Sequence, residues 1–500
     1  MSISRWALVL FQIIERRYYI ACDIILNRLH DGEAQCIYLR QHYGNFALHH
    51  NRQRQGQDLR EIARGAHCSA KEDRLEAMNL LRQAVLILGL IVLSSSCYAA
   101  GPITGRVVDS SGRPIAGAIV TADGGTEMTD ENGAFSTMLK GEQTLAVRAY
   151  GYRRSDQIAV SPSAGKIPQI RLSPVTPKGL YLTGFGIGNK ALRDAALKLI
   201  EETELNTLVI DVKGDGGMVT FKSSVALAFS PDSQKVITVK DMKGLMKSLR
   251  EKDIYTIARI VVFKDNPLVT VRPDLAVRTQ DGTIWHDREG LAWVDPFRKE
   301  VWDYNIGLAI EAAQYGFDEI QFDYVRFPDT PGLKFSEPNT EKNRVSSISG
   351  FLADARKKLA PFNVFVDADI FGYVCWNLND SKIGQRLADL AGEVDYLSPM
   401  LYPSGFQFGI PGYLNPVDHP YEIVYLSLQK AKERIHLPPV RFRPWLQAFR
   451  DYAFDRRYFG TQEIKEQISA AEKFGSNGWM LWNPHNIYSK GGLQAKSPRP

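Results

Sequence analysis

The chain has 500 residues, 44% hydrophobic and 23% charged, with 61 Lys+Arg against 56 Asp+Glu for a formal net charge of +5. That is too apolar and too evenly charged for a disordered protein, and too long for one ordinary core. It also lacks the dense basic run that tracks a phosphate backbone, which argues against a nucleic-acid partner.

Residues 1–77 hold Cys22, Cys36 and Cys68 and five of the nine histidines, without strand or helix rhythm. At Met78 a charged stretch ending in Arg82 leads into the apolar run Ala84 to Leu93, then Ser94-Ser-Ser-Cys-Tyr-Ala-Ala100. These are the three parts of a secretory signal, so the expectation is an over-extended gene start over 1–77, a signal peptide over 78–99 and export to the periplasm or medium. Ten apolar residues fall short of the about 20 that span a bilayer, and no integral membrane span is expected. Acylation of Cys97 is the weaker alternative, because Ser94 stands where a lipobox usually has Leu. After cleavage Cys375 is the one remaining thiol, which leaves no intrachain disulfide and no structural zinc pattern.

From residue 100 to 173, short β-rich runs alternate with turn residues, the pattern of a small antiparallel β-sandwich. Gly105-Arg-Val-Val-Asp-Ser-Ser-Gly-Arg-Pro-Ile-Ala-Gly-Ala118 and Thr129-Asp-Glu-Asn-Gly-Ala-Phe135 make this stretch resemble the carboxypeptidase regulatory-like family. Asp130, Asn132 and Gly133 fit an Asx-turn better than a calcium loop. A Ser-, Pro- and Lys-rich linker ends over 174–178.

From 179 to about 490 the rhythm is apolar run, polar loop, amphipathic helix. Strands are expected at Leu180–Phe185, Thr207–Val212, Tyr255–Val261, Glu319–Tyr324, Val364–Ile370, Tyr396–Leu401, Phe442–Ala448 and Trp479–Trp482. Eight alternating units predict an α/β fold of the (β/α)8 TIM type, with the site at the C-terminal strand ends. Gly184-Phe-Gly-Ile-Gly188 has the wrong spacing for a dinucleotide loop and reads as a turn.

On the fourth strand, period two puts Glu319, Gln321 and Asp323 on one face. On the fifth it turns Asp367 and Asp369 inward. Asp323 and Asp369 are the candidate catalytic pair, within the roughly 5 to 9 Å that glycosidase carboxylates require. Asp211 and Arg259 end neighbouring strands, and Arg259 or Arg326 is expected to hold Asp323. The bland alternative makes these acids interior ion-pair partners of Arg259, Lys213 or Arg326. Trp285, Trp293, Tyr324, Tyr373, Trp376, Tyr402, Trp445 and Trp482 crowd the same rim, as sugar-stacking side chains do. Core packing is a poor explanation for Trp285 and for Trp293 beside Asp295, since both lie in a long loop.

Asn206-Thr-Leu-Val-Ile-Asp-Val-Lys213, Ala258-Arg-Ile-Val-Val-Phe-Lys-Asp265, Gly316-Phe-Asp-Glu-Ile-Gln-Phe-Asp-Tyr-Val-Arg-Phe-Pro328, Ala368-Asp-Ile-Phe-Gly372 and Met400-Leu-Tyr-Pro-Ser404 read together as a signature. They resemble the bacterial family of putative glycosyl hydrolases, distantly akin to α-amylase-type barrels. The resemblance implies retaining hydrolysis of a poly- or oligosaccharide, with Asp323 as nucleophile and Asp369 as acid/base. From their places at the strand ends and on the rim, Asp211, Arg259, Trp285, Trp293, Asp295, Tyr324, Arg326, Tyr402 and Trp482 are the candidate substrate-binding residues. Two positions depart from the family pattern: Asp369 stands where Glu is typical, and Gly405 follows Ser404 where a His is expected. No metal or cofactor is expected, since a metal site on Asp211, Asp323 and Asp369 lacks inward histidines. The alternative is a noncatalytic carbohydrate-binding or envelope-scaffold protein on the same barrel.

Overall fold

The computed structural model describes residues 101–496, apart from 123–124, 140–142 and 162–164. The expected gene-start segment, signal peptide and Cys97 lie outside the described residues. Among the described residues no helix is long and apolar enough to cross a membrane.

Strands β1 (Gly101–Asp109), β4 (Ala134–Leu139) and β7 (Ile170–Leu172) form one small sheet. Strands β2 (Ile119–Ala122), β3 (Gly125–Met128), β5 (Gln143–Arg148) and β6 (Ile158–Val160) form the other. Alternate residues such as Val107, Val120, Phe135, Leu145 and Val147 meet in a shared core. The pairing is antiparallel except for β1 with β7, where the chain crosses to the first sheet before leaving the module. Asp130 makes the expected Asx-turn: its Oδ1 accepts from the amides of Asn132 (2.9 Å) and Ala134 (2.8 Å). Gly133 there has φ +71°, and a Cβ would fall 2.4 Å from the Val107 carbonyl oxygen. Gly133→Ala is therefore expected to destabilise the module by about 1–3 kcal/mol, read as a lower denaturant midpoint; an unchanged midpoint would refute the strain.

The rest is a closed, all-parallel barrel of eight strands: β8 (Lys178–Leu182), β9 (Thr207–Lys213), β10 (Tyr255–Val261), β11 (Glu319–Asp323), β12 (Phe365–Phe371), β13 (Tyr396–Met400), β14 (Trp445–Gln447) and β15 (Trp479–Trp482). Outward residues such as Ile210, Ile260, Phe322 and Ile370 pack under the helices, and inward ones such as Val209, Ile257, Phe365 and Met480 fill the bore. The longest crossovers are the helices Lys299–Tyr315 and Glu341–Leu359.

Two strand ends differ from expectation for visible reasons. β8 stops at Leu182 because Thr183 caps a single helical turn over Gly184–Gly188, its Oγ accepting from the Gly186 amide at 2.9 Å. β14 starts late because Pro444 has no N–H for the ladder.

The module grips the N-terminal ends of the barrel strands. Arg154 donates to the carbonyls of Gly316 and Phe317, both at 3.0 Å, and pairs with Asp318 just before β11. The Gly151 amide donates to the Tyr396 hydroxyl at 3.2 Å, and buried Arg148 lies 3.7 Å from the Asp395 carboxylate. Residues 174–178 run straight into β8, with Val175 closing the barrel floor against the inward cluster. Cys375 is buried and unpaired, and burial pushes its thiol up to about 12.

Candidate active site at the C-terminal strand ends

β11 carries its inward polar residues as three storeys. At the floor, Glu319 accepts from Arg443 Nη1 at 2.5 and 2.7 Å and from the Tyr255 hydroxyl at 2.9 Å. One pleat higher, Gln321 donates to Asp367 Oδ2 at 2.7 Å, and Ser398 donates to the same oxygen at 2.6 Å. Asp323 ends the strand. The register sets Gln321 beside Asp367 and Phe322 beside Ala368, which brings Asp323 and Asp369 to adjoining strand tips. Neighbouring strands are about 4.8 Å apart.

Arg259 on β10 is the hub of the top storey. Its Nε and Nη2 reach Asp323 Oδ2 at 2.9 and 2.6 Å, Nη1 reaches Asp211 Oδ1 at 2.7 Å, and Nη2 also reaches Asp215 Oδ1 at 2.7 Å. Burial works against the guanidinium charge, but the three carboxylates outweigh it and hold the proton more tightly than usual. The Arg259 Cζ lies 4.8 Å from the Trp482 ring centre and 5.3 Å from that of Tyr181. Those two rings stack at 3.9 Å, and the Tyr181 hydroxyl donates to Asp211 Oδ2 at 2.8 Å. Burial raises the Asp211 carboxyl to about 6; Arg259 opposes the rise and Asp215 reinforces it.

Asp369 differs from Asp323. Its Oδ1 accepts from the Trp445 indole N–H at 2.6 Å, while Oδ2 is buried with no hydrogen-bond partner. Burial, then the charges of Asp323 and Asp367, push this carboxyl well above the ordinary range; Arg259 and the Trp445 donor pull against them. Tyr402 packs on the inward cluster that contains Trp445, and burial, then the charges of Asp369 and Asp323, raise its phenol. Tyr324 sits at φ +48°, an uncommon conformation for such a side chain, and its amide donates to Asp323 Oδ1 at 2.6 Å. Strained backbone is common where a side chain must be held in one orientation for function.

Asp211, Arg259, Asp323, Asp369, Tyr402 and Trp482 thus gather at the C-terminal strand ends, with Tyr324 following Asp323. The structure places the other candidates elsewhere. Arg326 does not hold Asp323; its Cζ lies 5.0 Å from the Trp293 ring centre and 5.2 Å from that of Tyr324, and it donates to the Phe327 carbonyl. Core packing does explain Trp293, which is 2% exposed and donates its indole N–H to Asp287. Trp285 is half-buried, 6.1 Å from it. Asp295 ties loops together, accepting from the amides of Phe297 (3.0 Å) and Ser336 (2.6 Å).

Two members of this group escaped the sequence reading. Tyr181 was reachable by alternation, between outward Leu180 and Leu182. Asp215 sits in Gly214-Asp-Gly-Gly217 just past β9, and its one signal is that position at a strand's C-terminal end.

A carboxypeptidase regulatory-like domain model matches residues 102–173, and a model described as "Putative glycosyl hydrolase domain" matches residues 179–488. Comparison with curated proteins finds no match. Among solved structures, a hypothetical protein from Ruminiclostridium thermocellum is 37% identical over 38% of this chain and 96% of its own, with a TM-score of 0.34. The PgaB (BpsB) glycoside hydrolase domain from Bordetella bronchiseptica is 13% identical over 65% of this chain and all of its own, with a TM-score of 0.47. A chitinase from Chromobacterium violaceum is 12% identical over 61% and 93%, with a TM-score of 0.37. These scores carry no functional argument, but the family model spans well over half of the sequence: the chain belongs to the putative glycosyl hydrolase domain family.

Proposed function

We propose that the protein hydrolyses glycosidic bonds of a poly- or oligosaccharide through Asp323 and Asp369. The observation that carries this reading is the asymmetry of the two adjoining carboxyls. Asp323 is gripped by a guanidinium and a backbone amide, whereas Asp369 is raised by burial and keeps one oxygen unpartnered. A carboxyl raised by burial beside one held by a guanidinium is what acid-assisted glycoside cleavage needs. Asp369 donates its proton to the leaving oxygen as Asp323 attacks the anomeric carbon; Asp369 then deprotonates the water that releases the sugar. Adjoining strand tips favour this retaining course over an inverting one, which needs room for a water between the acids. Asp211, Arg259, Tyr402 and Trp482 frame the sugar at the cleavage point. The test is reducing-sugar release by residues 100–500 from a polysaccharide panel, with the anomer of the first product read by NMR. No release from any member would sink the reading and favour a noncatalytic carbohydrate-binding barrel.

Trp445→Phe tests the acid assignment. The lost N–H favoured ionised Asp369, so its removal raises that carboxyl further. The alkaline limb of the pH–rate profile is expected to move to higher pH; a move to lower pH would contradict the assignment.

Export is part of the proposal, supported by the charged, apolar and small-residue sequence from Met78 to Ala100. N-terminal sequencing of the protein expressed in a bacterial host should find a start near Ala100; an intact residue 1 on the mature protein would refute it.

A further inference from the structure

We propose that the exposed face of Tyr452, beside Gly405 and Tyr402, is a sugar-stacking subsite that holds the pyranose next to the one being cleaved, so that the substrate is a glycan chain and not a single terminal sugar. This rests on the glycosidase reading for its orientation, but on separate residues for its geometry.

Tyr402 packs on the inward cluster that contains Trp445, the residue that donates to Asp369. From it a row of rings leads away from the acids. Phe449 meets Tyr402 edge-on at 5.3 Å between centres, and Tyr452 lies nearly parallel to Phe449, 6.1 Å on with a 6° interplanar angle. Phe449 is half-buried and backs one face of Tyr452, yet Tyr452 is still 46% exposed. A tyrosine held flat by a ring behind it and open in front is a platform for the C–H face of a pyranose.

Gly405 lies beside the platform. A Cβ there would lie 3.7 Å from the Tyr452 hydroxyl and 4.0 Å from Tyr402 Cβ, so the residue sits between the two tyrosines. Both distances are ordinary contacts, and its φ is not in the left-handed range. Backbone strain therefore does not demand glycine here. What a larger side chain would do is crowd the Tyr452 hydroxyl and Tyr402.

Two variants test this, Tyr452→Ala to remove the platform and Gly405→Leu to crowd it. Each is made in the Asp323→Asn background and run in affinity electrophoresis through soluble starch, mixed-linkage β-glucan, xylan and glycol chitin. Each is also made in the active protein and assayed on 4-nitrophenyl glycosides. In the polymer that retards the parent, both variants are expected to weaken retardation by about fivefold or more. Hydrolysis of the small aryl glycosides should stay within about twofold, because these do not reach the row. Unchanged retardation in both variants overturns the subsite, as does a parent that no polymer retards. Retardation lost in the variants while the active protein hydrolyses nothing upholds the subsite and overturns the glycosidase reading instead. Should Gly405→Leu fail to fold, Tyr452→Ala decides alone.

Discussion

Arg259→Met is expected to lower the stability of the folded protein by about 3–5 kcal/mol at neutral pH, the usual cost of stranding buried charges by removing their partner. Methionine fills much of the same volume and leaves Asp211, Asp215 and Asp323 facing one another. Only Asp215 has appreciable access to water, with 37% of its side chain exposed. The pH dependence follows from Asp211. Its carboxyl is at about 6 in the fold against roughly 3.9 unfolded, so between those values the folded state binds more proton than the unfolded one. Its contribution to stability is present below the unfolded value and is lost as pH rises through the folded value. Arg259 limits that loss. Without it the deficit is largest on the alkaline side and narrows toward about pH 4, where the folded carboxyl is protonated and the unfolded one about half so. Urea unfolding of wild type and variant at about pH 7.5 and pH 4.5 measures this; an equal deficit at both would show that the charges are not the cause.

The second large effect separates the two acids. Asp323→Asn removes the proposed nucleophile and is expected to cut turnover by about 10^3-fold or more on every substrate. Asp369→Asn removes the proton donor of the first step and the base of the second, so its effect on bond cleavage is read in kcat/KM. It should cost about 10^2 to 10^4-fold on glycans with poor leaving groups, and far less on aryl glycosides whose phenol departs without protonation. The diagnostic is the ratio of aryl-glycoside to glycan activity, which rises in Asp369→Asn and stays flat in Asp323→Asn. If the ratio rises in Asp323→Asn instead, the roles are reversed.

Most of the barrel was legible because its strands are buried on both faces and its helices on one. The runs at Tyr255–Val261 and Trp479–Trp482 stand where their periodicity put them. Alternation also sufficed to turn Glu319, Gln321 and Asp323 inward, because period two is a geometric property of a strand. What a one-dimensional pattern cannot hold is the partner. Arg259 and Arg326 looked equivalent near Asp323, yet one shares the barrel interior and the other lies over aromatic rings on the rim. Trp293 looked like a ligand-facing loop residue, because a loop long enough to fold back and bury an indole resembles an open one in sequence. Asp215 was hidden for the converse reason: nothing in a glycine-flanked loop says that its carboxylate returns to a guanidinium on the next strand.

The regulatory-like module holds the barrel by the strand ends opposite those that carry the acids, through Arg148, Gly151 and Arg154. The module therefore covers neither acid: the contact that fixes it to the barrel and the strand ends proposed for catalysis lie at opposite ends of the same eight strands.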